Sequence, residues 1–158
     1  MRKIFNSVLG LLACFSISCQ AQNLLENDFS SSAEKLNCVG RGVCQVSNGV
    51  LSSKGSFALF GNKVWTNYSM SFKARAPKEA EQVQIWAGFH TYNRFDRYVV
   101  GIKGGLQDDL YLMRTGYMGT DEFMGVRPLG FHPVPGEWYR MKVEVCGNRI
   151  RIFLNAEE

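Results

Sequence analysis

The sequence predicts an all-β protein, an antiparallel β-sandwich of the jelly-roll kind. Three observations carry that expectation. Apolar residues alternate with polar ones along several stretches, the period of a strand with one buried face. Glycine-bearing turns punctuate those stretches at short spacing. No stretch after residue 22 has the apolar spacing of an amphipathic helix. The 158 residues are 46% hydrophobic and 20% charged, with sixteen glycines against four prolines and a mean hydropathy of −0.14. Those values suit one folded domain and exclude a disordered, collagen-like or polytopic membrane chain.

Residues 1–21 read as a signal peptide. Arg2 and Lys3 form a basic start, Ile4 to Ile17 is mostly apolar, and small residues follow up to Ala21. That order marks export, and the apolar run is too short to cross ~30 Å of hydrocarbon. Cleavage after Ala21 leaves a β-sandwich domain over residues 22–158. The alternative is a lipid anchor on a cysteine, since Leu11-Leu12-Ala13-Cys14 resembles a bacterial lipobox and Ser16-Ile17-Ser18-Cys19 is a poorer version of it. Export to the periplasm or cell surface of a bacterium is expected, with an outer-membrane lipoprotein as the alternative.

Past the signal, Cys38 and Cys44 flank a loop containing Gly40 and Gly42. In an oxidising compartment a Cys38–Cys44 disulfide is expected there. Three cysteines without CxxC spacing and two distant histidines do not make a zinc site, and no metal is expected. Asn48-Gly49 is a turn before Val50-Leu51-Ser52.

The strands then follow in order. In Tyr68–Ala76, Met70, Phe72 and Ala74 alternate with Ser69, Ser71, Lys73 and Arg75. In Gln82–Tyr92, Val83, Ile85, Ala87 and Phe89 form one face, with Trp86 and His90 on the other. Arg97–Lys103 and Leu110–Arg114 are two more strands. Pro128–Gly136 is a stiff connection carrying three prolines. Trp138–Cys146 points Met141, Val143 and Val145 inward and ends at Cys146, read as a small buried residue. Gly147-Asn148 turns the chain into Arg149–Leu154, completing a hairpin. Trp65 and Trp138 read as packing residues.

Several of these segments resemble a known group. Gly136-Glu137-Trp138-Tyr139-Arg140-Met141-Lys142-Val143 followed by Gly147-Asn148-Arg149-Ile150-Arg151-Ile152-Phe153-Leu154-Asn155 resembles the late hairpin of concanavalin A-like lectin/glucanase domains. Related hairpins occur in laminin G-like and 3-keto-disaccharide hydrolase-like domains. Residues 65–75 resemble the early strand of those domains, and residues 87–102 their paired central strands. The resemblance spans roughly residues 50–155. It implies a concanavalin A-like sandwich, as in N-terminal accessory domains of exported Bacteroidetes-type glycoside hydrolases such as family 2 enzymes. Such motifs specify architecture well and activity poorly. Those domains continue with further strands. The chain is therefore expected to lack its last strands and to be the front of a longer polypeptide, with a covalently linked downstream catalytic domain.

The candidate ligand-binding residues fall in two patches. Trp86, His90, Tyr92, Arg94 and Asp96 crowd one segment, and Tyr111, Arg114 and Tyr117 form the second. Flat rings for the C–H face of a sugar, with planar polar groups for its hydroxyls, make a carbohydrate the expected partner, an oligo- or polysaccharide. The competing reading is a polar exposed hairpin loop with aromatics paired across strands for stability. No catalytic residue is assigned. Asp108-Asp109 and Asp121-Glu122 are adjacent pairs, read as turn or loop carboxylates because strand neighbours face opposite ways. The alternating Glu, Asp and Glu of family 16 enzymes is absent, as is a Gly-x-Ser-x-Gly elbow. No cofactor is expected, because no phosphate loop or dinucleotide fingerprint occurs. Removing Arg2 and Lys3 takes the net charge from +4 to +2, and the remaining cations read as scattered. No nucleic acid partner is expected, and no transmembrane segment. A non-catalytic carbohydrate-binding or accessory module is the leading expectation. A glycan-cleaving hydrolase resembling the 3-keto-disaccharide hydrolase group is the alternative.

Overall fold

The computed structural model describes residues 28–29, 37–60, 62, 64–91, 96–116 and 120–155. The expected signal peptide lies outside the described residues, as do Tyr92, Arg94 and Tyr117. The described residues are all-β, without a helix, in three antiparallel sheets. None of them forms a helix long and apolar enough to cross a membrane.

Strand β1 (Asn37–Ser47) pairs with β2 (Val50–Leu59) through the Asn48-Gly49 turn. Asn48 (φ 52°) and Gly49 (φ 70°) both take the left-handed conformation a two-residue hairpin turn requires. The alternation in β1 is broken by a register shift between Gly40 and Val43, which hides this strand from a period-two reading. That shift brings the Cys38 and Cys44 Cα atoms within 6.0 Å, and a disulfide joins them.

The three-stranded sheet runs β3 (Tyr68–Ala74), β8 (Tyr139–Cys146), β9 (Arg149–Leu154). The four-stranded sheet is a meander of β4 (Gln84–Phe89), β5 (Arg97–Lys103), β6 (Asp109–Thr115) and β7 (Glu122–Pro128). One buried cluster draws on both. Ile85, Phe89, Val100 and Ile102 come from the larger sheet, and Tyr139, Met141, Val143, Val145 and Leu154 from the smaller. Val100, Ile102, Met141 and Val143 have no exposed surface at all. Burying such a side chain contributes ~1.5–3 kcal/mol, so this shared layer is what holds the two sheets face to face.

The connection after β7 closes one end of that layer. Pro133 is fully buried, and the Val134 amide donates to the Tyr139 hydroxyl over 2.7 Å. The Phe131 ring stacks on Tyr139 with centroids 6.2 Å apart.

Four expectations are corrected. Trp138 is not in the core: it is 47% exposed, with the Arg75 guanidinium carbon 4.7 Å from its ring centre. It shares the phase of exposed Arg140, not of buried Met141. Cys146, one step out of phase with buried Val145, is only partly buried. Glu122 is the first residue of β7, a strand whose residues are all exposed and so lack the alternation that signals a strand. His90 does not share a face with Trp86. Its φ of 50° ends β4 at Phe89 and breaks the period of two.

Candidate functional site

Residues directly opposite in an antiparallel pair point to the same face. On the face of the four-stranded sheet away from the shared core, Trp86 stands opposite Gly101, Gly101 opposite Tyr111, and Tyr111 opposite Val126. This row crosses all four strands. Gly101 is what makes it work. A Cβ there would collide with the Tyr111 ring tip and lie 2.6 Å from the Ile85 carbonyl oxygen. The Tyr111 ring therefore lies across β5 toward the strand that carries Trp86.

Tyr111 is 7% exposed and clusters with Val99 and Met113, apart from the main core. Burial pushes its phenol up to about 12, because the charged form loses its water. Phe123 meets Tyr111 edge-on at 6.1 Å. Around this small apolar floor, Trp86 (58%), Phe123 (64%) and Val126 (55%) are exposed. Single exposed apolar residues are ordinary, but several in one patch mark an interaction surface. Phe123 and Val126 escape a sequence reading because a bulge between Leu112 and Met113 resets the register of β6 against β7. Gly101, alone inside the apolar run RYVVGIK, was the available sign of a close approach.

The other predicted residues lie elsewhere. His90 stacks with Tyr68 of β3, centroids 6.4 Å apart and planes within 15°, and lies 6.3 Å from the Tyr98 ring. Burial raises the Tyr68 phenol, and a hydrogen bond with the His90 backbone partly offsets this. His90 thus bridges the ends of the two sheets.

Asp96 and Arg114, taken from different patches of the sequence, form an ion pair at 3.7 Å. They line an open cleft of about 280 Å³ with Gly116, Thr120, Asp121 and Glu122. The cleft forms where β5 begins, β6 ends and β7 begins, Arg114 standing opposite both Tyr98 and Glu122. Asp121 precedes the strand, so the rule that strand neighbours diverge does not separate it from Glu122. Both residues line the one cleft.

A second acidic site is occupied within the chain. Asp108 holds His132 Nδ1 at 2.9 Å, and this hydrogen bond lowers the Asp108 carboxyl below its usual range. Among the described residues no group of three or more His, Cys, Asp or Glu side chains is placed to hold a metal ion.

The chain matches no protein-family model, no curated protein and no solved structure.

Proposed function

We propose that the chain is a non-catalytic carbohydrate-binding or accessory module on a concanavalin A-like jelly-roll sandwich, exported as part of a glycan-degrading protein. The observation that carries this reading is the row Trp86–Gly101–Tyr111, which sets an exposed indole beside a flat apolar floor on an open sheet face. A sugar ring presents a C–H face to such a surface. The Cys38–Cys44 disulfide supports the export reading, since such bonds persist in oxidising compartments. The test is a glycan array followed by calorimetric titration of the neutral oligosaccharide it selects. Trp86→Ala is expected to weaken binding about tenfold, the loss of one aromatic contact, with unchanged thermal unfolding. Unchanged affinity in that variant overturns the site, and a folded protein that binds no glycan overturns the reading.

The second reading, a glycan-cleaving hydrolase, is favoured by one feature: Asp96, Asp121 and Glu122 share the cleft beside Arg114. Glycoside hydrolysis asks for two carboxylates flanking the bond. Turnover that disappears in Asp121→Asn or Glu122→Gln, with binding retained, establishes this reading.

A further inference from the structure

The outer face of the three-stranded sheet is strongly basic. Its cations are scattered in sequence, yet period two gathers them on one side. Lys73 of β3, Arg140 and Lys142 of β8, and Arg149 and Arg151 of β9 all point away from the core. Glu144 is the only carboxylate among the described residues of these three strands. It is held by Lys142 and Arg151, each at 2.6 Å.

Two relationships point to a ligand. Lys73 stands directly opposite Arg140, and like charges so placed destabilise a strand pair. An anion between them removes that penalty. The face also carries exposed Trp138, one side of whose ring is covered by Arg75, itself in phase with Lys73. Lys142 and Arg151 remain 43% and 54% exposed despite holding Glu144.

We infer that this face binds an acidic polysaccharide, a linear chain bearing carboxylate or sulfate groups. Charge complementarity sets the sign of the partner, and the Cys38–Cys44 disulfide, a bond that persists in oxidising compartments, favours a polyanion met outside the cytoplasm. Single-stranded nucleic acid stacks successive bases on several free aromatic faces, but here Lys142 and Arg151 lie over the Phe153 ring and Arg75 covers one side of Trp138. A membrane surface needs protruding apolar side chains beside the cations. Here the outward side chains of β3 are Ser69, Ser71 and Lys73, and Trp138 is the one large apolar side chain exposed beside the cations among the described residues. A polyanionic sugar chain needs only planar guanidinium and ammonium donors spread over an open face, which is what the three strands present.

This surface is separate from the Trp86 face, so the two are tested independently. The full chain is titrated with polygalacturonate, heparin, neutral dextran and a single-stranded DNA oligonucleotide, at low and high salt. Binding to polygalacturonate or heparin that is weakened by salt is expected, with no salt-dependent binding of dextran. Arg140→Gln combined with Arg149→Gln is expected to weaken it roughly tenfold, the order for losing two exposed ion pairs, while Trp86→Ala leaves it unchanged. Circular dichroism confirms that the double variant is folded. Failure to bind either polyanion at low salt overturns the inference. So do binding insensitive to the double substitution, and DNA binding tighter than binding to either polysaccharide. Loss of neutral-glycan binding in Trp86→Ala speaks only to the module proposed above.

Discussion

Asn67 and Gly147, eighty residues apart in sequence, are joined by a hydrogen bond in which the Gly147 amide donates to Asn67 Oδ1 over 2.8 Å. Asn67 precedes β3, and Gly147 opens the β8–β9 turn with a φ of 57°. The bond fixes the end of the β3–β8 register at an amide that the tight turn leaves outside the ladder. Asn67→Ala is expected to destabilise the protein by about 0.5–1.5 kcal/mol, the usual worth of one such bond. Urea unfolding with an unchanged slope and a lowered midpoint checks this.

Gly101 leaves space that Tyr111 fills. Gly101→Ala is expected to cost about 1–3 kcal/mol by overpacking, since the new methyl group meets both the Tyr111 ring tip and the Ile85 carbonyl. Adding Tyr111→Ala removes one of those two clashes. Its cost on the Gly101→Ala background is expected to be smaller than its cost in the wild type, a coupling read from a double-mutant cycle.

The Tyr111 phenol gives a pH signature. Its folded value lies near 12, above the ordinary value of 10.0. The unfolded chain therefore releases this proton first, and the folded state binds more protons between those values. Stability contributed by neutral Tyr111 is complete below pH 10 and declines as pH rises toward 12. Urea midpoints measured from pH 9 upward are expected to fall less steeply in Tyr111→Phe than in the wild type.

Glu144 behaves oppositely. Its hydrogen bond with Lys142, aided by the charge of Arg151, lowers its carboxyl from the ordinary 4.5. The ion pairs stabilise the fold above that value, and the contribution disappears as acid protonates the carboxylate. Because the pairs are open to solvent, the contribution is about 1 kcal/mol or less. Glu144→Gln is expected to lose less stability than the wild type between pH 5 and pH 3, as read by chemical denaturation.

The Cys38–Cys44 bond acts within the hairpin, because among the described residues the main buried cluster contains none from β1 or β2. Replacing both cysteines with alanine is expected to speed hydrogen exchange of the β1 and β2 amides. Exchange in β5 and β8 stays unchanged. A uniform acceleration across all strands contradicts this.

Strands were legible where alternation or a short apolar run bounded by charged residues marked them, β9 by the first and β5, buried on both faces, by the second. Arg97–Lys103 and Arg149–Leu154 match their observed limits, and Met141, Val143 and Val145 of β8 point inward as the alternation predicts, joined by Tyr139, which that reading does not name. Legibility ended where another constraint overrode alternation. β7 is exposed on both faces, β1 changes register at Gly40, and β4 stops at the positive φ of His90. The site was legible as residue types but not as groupings. Asp96 and Arg114 lie in separate segments and meet only because β5 and β6 are neighbours. Trp86 and His90, only four residues apart, are separated by one backbone angle. Of the basic face, the four cations of the β8–β9 hairpin share one phase in the sequence, and only Lys73 waits on the pairing of β3 with β8.

That last pairing governs how the chain can be assembled as it is made. Within the four-stranded sheet every neighbour is consecutive, and β8 meets β9 through a tight turn, so both units can form as soon as their residues emerge. β3 is different. Its partner for Tyr68 is Val145, and its partner for Ala74 is Tyr139. During synthesis from the N-terminus, Met70 and Phe72 wait uncovered while β4 through β7 are translated, and the meander waits with its inner face bare. Only the arrival of β8 covers both, so β8 is the strand whose delay or damage leaves the largest apolar surface open to aggregation.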